Sequence, residues 1–203
     1  IDSDLRDKIT RAAVKIAKYV GYTNAGTIEF LVDRNGDFYF IEMNARLQVE
    51  HPVTEQVTGI DLVKEQFRVA AGEKLGYSQK RINFEGTAIE CRINAENPAD
   101  DFRANPGTIS LMVPPGGFGV RMDTHAHSGF KVVPNYDSMI AKLIVHKPTR
   151  REALDTLRRA LAEFVIDGIE TTIPFFRDLT THARYVNGDF DVHFVGEMLE
   201  ASP

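Results

Sequence analysis

The chain has 203 residues, with 24 Lys and Arg against 29 Asp and Glu and a formal net charge of −5 at pH 7. Without a long basic run, that balance argues against nucleic acid as a main partner. No apolar run approaches the ~20 residues of a membrane span, and no signal peptide opens the chain. Hydrophobic content of 43% and charged content of 26% are ordinary for a globular protein, and the length suffices for one domain or two small ones. The single cysteine, Cys91, cannot form an internal disulfide, which fits a reducing cytoplasm; it reads as a small buried hydrophobe in a strand. The sequence begins at Ile1, without Met and directly on a helix signal, so it reads as a piece of a longer polypeptide.

Apolar residues at Leu5, Ile9, Ala12, Ala13, Ile16, Ala17 and Val20 predict a helix over 4–20, with Ser3 as N-cap and Gly21 at the left-handed C′ position. Strand-like runs at Thr27–Asp33 and Asp37–Met43 flank Arg34-Asn35-Gly36-Asp37. Asn-Gly there predicts a hairpin with a type I′ turn. With Asn35 and Gly36 as the two turn residues, Glu29 falls directly opposite Glu42. Opposed Cβ atoms lie about 4.5–5.5 Å apart and like charges there repel, so the pair invites a cation between them. A hard divalent ion such as Mg²⁺ or Mn²⁺, carrying a nucleotide's phosphates, suits two carboxylates. The plainer reading is a solvated hairpin whose acids face water.

From Ile41 to Glu50 the residues alternate. Glu42, Asn44, Arg46, Gln48 and Glu50 are polar; Ile41, Met43, Ala45, Leu47 and Val49 are apolar. Period two predicts an extended strand, with two carboxylates, two amides and a guanidinium on one face. His51 closes the row, held extended by Pro52, which suits the first turn of a following helix. Thr58-Gly59 interrupts that helix, and Asp61 caps another that runs through Ala71 to Gly72. Residues 73–86 are polar and irregular, which predicts a boundary between domains at 1–83 and 84–203.

Thr87–Asn94 is again period two: Ala88, Glu90, Arg92 and Asn94 share one face, and Thr87, Ile89, Cys91 and Ile93 the other. A loop at 95–107 precedes strand-like runs at 108–113, 118–123 and 130–133. Asp137 stands at the mouth of a buried-looking strand, Met139–Val145, where turn initiation is its ordinary role. Thr149-x-x-Glu152 forms a capping box before a helix with Ala153, Leu154, Leu157, Ala160, Leu161 and Phe164 at helical spacing. Asp167-Gly168 turns the chain, a helix follows over about 172–183, and a short one closes the tail from Asp191 to Leu199. The scattered histidines, His125 and His127 among them, lack metal-ligand spacing.

GTIEFLVDRNGDFYFIEMNARLQVEHPVTEQVTGIDLVKEQ, GTAIECRINAENP and PNYDSMIAKLIVH together resemble the biotin carboxylase family. These are the ATP-dependent components of biotin-dependent carboxylases, and the resemblance covers nearly the whole chain. It implies an α+β fold: the C-terminal part of an ATP-grasp domain, with an antiparallel sheet and helices, and then the biotin carboxylase C-terminal domain. By the same resemblance Glu29 and Glu42 bind the Mg²⁺ or Mn²⁺ on ATP, with Asn44 close by. Arg46, Gln48 and the backbone of Val49 hold bicarbonate, and Glu50 is the general base. Arg92 stabilises the biotin enolate and Asp137 lies near the biotin end. Leu31 and the Val165-Ile166 segment match the adenine-contacting wall. Phe118 and Arg121 match a homodimer interface. The implied partners are a biotin carboxyl carrier protein and a carboxyltransferase component, as in the acetyl-CoA carboxylase of fatty acid biosynthesis.

The sequence carries no GxxxxGK[ST] or other Gly-rich phosphate loop and no clustered Lys pair. The expectation is therefore that these 203 residues alone do not turn over ATP efficiently. A propionyl-CoA or pyruvate carboxylase would carry the same segment, so the acceptor stays open. A carbamoyl-phosphate type of ligase fits less well, because Arg92 in ECRINAE and the YDSM run match the biotin enzymes. From a different class, a non-catalytic module that dimerises or docks a carrier is the alternative.

Overall fold

In the computed structural model, which describes residues 1–200, the chain forms two compact units that divide between Asn83 and Phe84. Each mixes helices with small antiparallel sheets, the α+β class expected from the sequence. No helix of the described residues is long and apolar enough to cross a membrane.

The first unit runs α1 (Ser3–Tyr19), β1 (Thr27–Val32), β2 (Phe38–Asn44), α2 (His51–Thr58) and α3 (Leu62–Ala70). The N-cap of α1 is Asp2 rather than Ser3. Its carboxylate accepts the Leu5 N–H at 2.8 Å, and its charge also suits the positive end of the helix. At the other end Gly21 takes φ +66° at C′ as predicted, and the Tyr22 N–H reaches back to the Ala17 carbonyl at 2.9 Å.

The hairpin reaches its predicted register by an unpredicted route. Asn35 is absent from the positive-φ residues, so the turn is not type I′. Arg34, Asn35 and Gly36 form a longer loop with Gly36 at φ +84°. The Asp33 carboxylate holds that loop, accepting the N–H groups of Asn35 at 2.8 Å and Asp37 at 3.0 Å. Near the turn Val32 therefore pairs with Phe38, one position away from the two-residue-turn register. A β-bulge between Glu29 and Phe30, with Ile41 as the extra residue on β2, restores the phase, and Glu29 stands opposite Glu42. The bulge sorts the side chains. Phe38 and Phe40 meet Phe30 edge-on at 5.5 and 6.3 Å between centroids, while Glu42 and Asn44 turn to the face of Glu29.

The extended strand predicted through Glu50 ends at Asn44. After it the chain bends: the His51 N–H donates to the Gln48 carbonyl and the Val53 N–H to that of Glu50. Period two therefore continues in the sequence where the backbone has already left the sheet. Pro52 sits in the first turn of α2, Gly59 ends that helix at φ +69°, and Asp61 caps α3 through the Lys64 N–H at 2.8 Å. Of the described residues in this unit only Pro52 is buried.

The second unit contains β3 (Thr87–Asn94), β4 (Glu96–Asn97), β5 (Arg103–Ala104), β6 (Gly107–Thr108), β7 (Leu111–Val113), β8 (Val120–Thr124), β9 (Lys131–Val132) and β10 (Met139–Lys147). There follow α4 (Arg150–Glu163), β11 (Val165–Asp167), α5 (Ile173–Thr181), α6 (Ala183–Asn187) and α7 (Phe194–Glu200). The central sheet has the order β3-β10-β8, antiparallel throughout. Its buried residues Cys91, Ile93, Leu143 and Val145 share one core with Ala153, Leu157, Ala160, Leu161 and Phe164. The capping box is present in both directions: the Thr149 hydroxyl accepts the Glu152 N–H, and the Glu152 carboxylate accepts the Thr149 N–H.

Two expectations need correction here. The run at 108–113 is two strands, because buried Ile109 points inward between β6, which pairs with β9, and β7, which pairs with β11. The helix over 172–183 breaks at His182, whose backbone is extended and whose ring accepts the Arg184 N–H that opens α6. Residues 165–167 form the strand β11. Gly168 behind it has φ +98°, and an added Cβ would lie 2.3 Å from the Thr108 carbonyl oxygen. Left-handed strain of about 1–3 kcal/mol plus that collision sets the expectation for Gly168→Ala: a loss of at least about 2 kcal/mol, read as a lower urea midpoint at unchanged slope.

Candidate active site

The bulged hairpin assembles the first cluster. The Asn44 Nδ2 donates to Glu29 Oε1 at 2.8 Å and to Glu42 Oε1 at 3.0 Å, so two carboxylate oxygens converge on one point. That is the position where like charges across a strand pair need a positive partner. The donor set is all oxygen once the Asn44 amide turns its carbonyl inward. One or two carboxylates completed by phosphates is how Mg²⁺ is commonly held, so these residues fit such an ion. Leu31 lies two residues along β1 from Glu29 and is 64% exposed.

The second cluster forms where β2 gives way to α2. Arg46, Gln48, Glu50, His51 and Thr54 line one cleft of about 530 Å³ with the 24–27 segment. Arg46 Nη1 donates to Gln48 Oε1 at 3.1 Å and to the Leu47 carbonyl at 3.3 Å. Glu50 occupies the N-cap position of α2, yet its carboxylate makes no capping bond. The reason is local: the His51 and Val53 N–H groups already have carbonyl partners, and Pro52 has none to offer. His51 Nδ1 donates to the Gln48 carbonyl at 2.8 Å, which fixes the ring against the bend. Val49 sits in the same bend without lining the cleft.

The remaining residues singled out from the sequence belong to the second unit. Arg92 projects from the exposed side of β3, while its neighbours Cys91 and Ile93 are buried on the other. Burial pushes the Cys91 thiol up to about 12, which makes it an inert core residue. The Asp137 carboxylate accepts the Met139 N–H at 2.9 Å, the turn-initiating contact expected at a strand mouth. Ile166 is half-buried against the core in β11. Phe118 is 90% exposed with the Lys147 ammonium 4.6 Å from its ring centre, and Arg121 grips Asp123 with two contacts of 2.8 Å.

Sequence reasoning missed a polar brace around β3. Glu96 accepts from Asn94 Nδ2 at 3.1 Å and from the Ser138 hydroxyl, and buried Thr172 bonds the backbone of both Arg92 and Asn94. A carboxylate just beyond the end of β3 offered no local signal, and Thr172 lies 80 residues from Arg92.

Residues 90–197 match the family described as biotin carboxylase C-terminal domain, and residues 1–78 match the carbamoyl-phosphate synthase L chain, ATP binding domain. Biotin carboxylase 1 of Bacillus subtilis is 56% identical across 96% of this chain and 44% of its own length. A pyruvate carboxylase subunit of Methanothermobacter thermautotrophicus is 55% identical over 96% of the chain and 39% of its own. Among solved structures, the biotin carboxylase domain dimer of Hydrogenobacter thermophilus 2-oxoglutarate carboxylase, in complex with MgADP, ADP and bicarbonate, superposes with a TM-score of 0.92 at 47% identity. That superposition covers 97% of this chain and 44% of the other. The chain thus spans less than half the length of these relatives.

Proposed function

The chain belongs to the biotin carboxylase family, and from that premise we propose that it supplies the metal-, bicarbonate- and biotin-facing groups for ATP-dependent carboxylation of carrier-bound biotin. Residues 1–83 are assigned to the C-terminal part of the ATP-grasp domain and residues 84–203 to the C-terminal domain. The observation that carries the reading is the single cleft lined by Arg46, Gln48 and Glu50 beside the bend that ends β2.

Bicarbonate is a weak electrophile, and ATP overcomes this by converting it to carboxyphosphate. Arg46 holds the anion, its planar guanidinium suited to two oxygens at once, and Gln48 with the Val49 backbone completes the grip. Glu50 takes the bicarbonate proton, freeing the oxygen that attacks the γ-phosphorus while ADP leaves. Glu29 and Glu42, with Asn44, would hold the Mg²⁺ or Mn²⁺ that offsets phosphate charge during this transfer. Carboxyphosphate then breaks to CO₂ and phosphate, and the phosphate takes the proton from biotin N1. Arg92 stabilises the enolate so formed, Asp137 lies at that end, and N1 captures CO₂. Leu31 and Ile166 contribute to the adenine wall.

The proposed setting is a cytoplasmic homodimer formed through Phe118 and Arg121, serving a biotin carboxyl carrier protein and a carboxyltransferase component. An acetyl-CoA carboxylase is the first reading of the whole assembly. A pyruvate or 2-oxo acid carboxylase is the second, favoured by the names of two relatives. The test is ADP release from Mg-ATP by the polypeptide that carries this sequence, with and without bicarbonate and biotin. Stimulation by bicarbonate and a further rise with biotin is the expected result. ADP release indifferent to both would overturn the reading in favour of a non-catalytic docking module.

A further inference from the structure

We propose that Thr172 is a positioning residue for biotin carboxylation, fixing the backbone that carries Arg92. This rests on the reading of Arg92 given above. β3 is the outer strand of its sheet, so one edge of Arg92 and its neighbours faces away from β10. On the inner edge the ladder is irregular just there: pairing slips between Met139 and Ala141, opposite Asn94 and Ile93. A strand that is both outermost and beside a bulge has a loosely specified course unless something else holds it.

Thr172 holds it from the outer edge with three bonds. Its hydroxyl donates to the Arg92 carbonyl at 3.1 Å and accepts the Asn94 N–H at 3.0 Å, and its own N–H donates to the Asn94 carbonyl at 3.1 Å. The residue thus acts as one rung of a missing strand. Its position makes this use of the hydroxyl telling. Thr172 is the N-cap of α5, where a Thr oxygen ordinarily accepts an N–H from the first turn of its own helix. Here it makes no such bond, and the hydroxyl serves β3 instead. Thr172 is 4% exposed, so water does not substitute for it. On the inner side Ser138 completes the hold: its carbonyl accepts the Ala95 N–H at 2.8 Å and its hydroxyl bonds Glu96. The strand end bearing Arg92 and the turn bearing Asp137 are therefore tied together. Ser keeps the donor and acceptor of Thr172, whereas Val keeps the shape and loses both.

The experiment is a double-mutant cycle in the complete enzyme, reading biotin carboxylation, bicarbonate-dependent ATP cleavage without biotin, and the thermal midpoint. Thr172→Val is expected to lower biotin carboxylation roughly 10-fold and leave biotin-independent ATP cleavage within about 2-fold. Thr172→Ser should stay within about 3-fold of the parent in both reactions. In an Arg92→Ala background Thr172→Val should add nothing further, since its effect runs through Arg92. Should valine prevent folding, Thr172→Ala removes the same hydroxyl with less bulk. The inference is overturned if valine costs both reactions equally, if serine fails as badly as valine, or if the valine loss persists undiminished with Arg92 already gone. Arg92→Ala alone separates the premise from the inference. If it leaves biotin carboxylation intact, the reading of Arg92 falls and the positioning role with it. If it impairs carboxylation while Thr172→Val does not, only the positioning role falls.

Discussion

Glu50→Gln in the complete enzyme is expected to lower bicarbonate-dependent ATP cleavage by roughly 10²–10⁴-fold, the usual contribution of a positioned general base. The amide keeps the size and shape of the carboxylate and removes only the ability to take a proton. The structure indicates that folding survives the change. α2 begins on Glu50 without a capping bond from its side chain, and the Val53 N–H is satisfied by the Glu50 carbonyl, which any residue would provide. The measurement is steady-state ADP release at saturating Mg-ATP across a bicarbonate titration, with the thermal midpoint as control. A variant that folds normally and keeps full bicarbonate-dependent turnover would show that some other group takes the proton.

Arg92→Ala is expected to separate the two half-steps. Biotin carboxylation should fall by about 10²–10³-fold, the range seen when one preorganised donor to a developing oxyanion is removed. Bicarbonate-dependent ATP cleavage should fall much less, because the enolate is formed after the phosphoryl transfer. Arg92 lies on the exposed side of β3, and the core contacts of that strand come from Cys91 and Ile93 on the opposite side. Truncation therefore leaves the packing of the sheet as it is. Parallel assays of the two reactions on one preparation decide the matter; losses of equal size in both would rule out an enolate-specific role.

Local chemistry was readable in the sequence, and long-range compensation was not. The capping box at Thr149, the Asp61 cap, and the glycines at 21 and 59 each depend on a few adjacent residues, and each lies where the sequence placed it. Ser3 lost the cap of α1 to Asp2, a neighbour of similar capping ability that adds a charge. The opposition of Glu29 and Glu42 was anticipated from a turn that does not exist; a longer loop and a bulge shift the register in opposite directions and return it to the same pair. The polar row misled differently. Side chains that alternate through Glu50 read as one strand face, but beyond Asn44 they converge on a cleft through a bend and a helix start. Thr172 was invisible because its partners are remote in the chain and its residue type is ordinary for a helix cap.

The hairpin has a further consequence for how such a segment can change length. Loop and bulge each add one step to the chain, and a strand has only two parities. Losing Ile41 alone would leave Glu42 opposite Glu29 in an uninterrupted ladder, because Ile41 is the residue with no partner on β1. Losing one loop residue alone would tighten the turn between Asp33 and Asp37 and leave Phe38 opposite Val32. Each extra residue can therefore be lost without changing which acids face each other, although the sequence offset across the ladder changes by one. Two homologous hairpins of equal length can conceal opposite offsets, and two of unequal length can present the same pair of carboxylates.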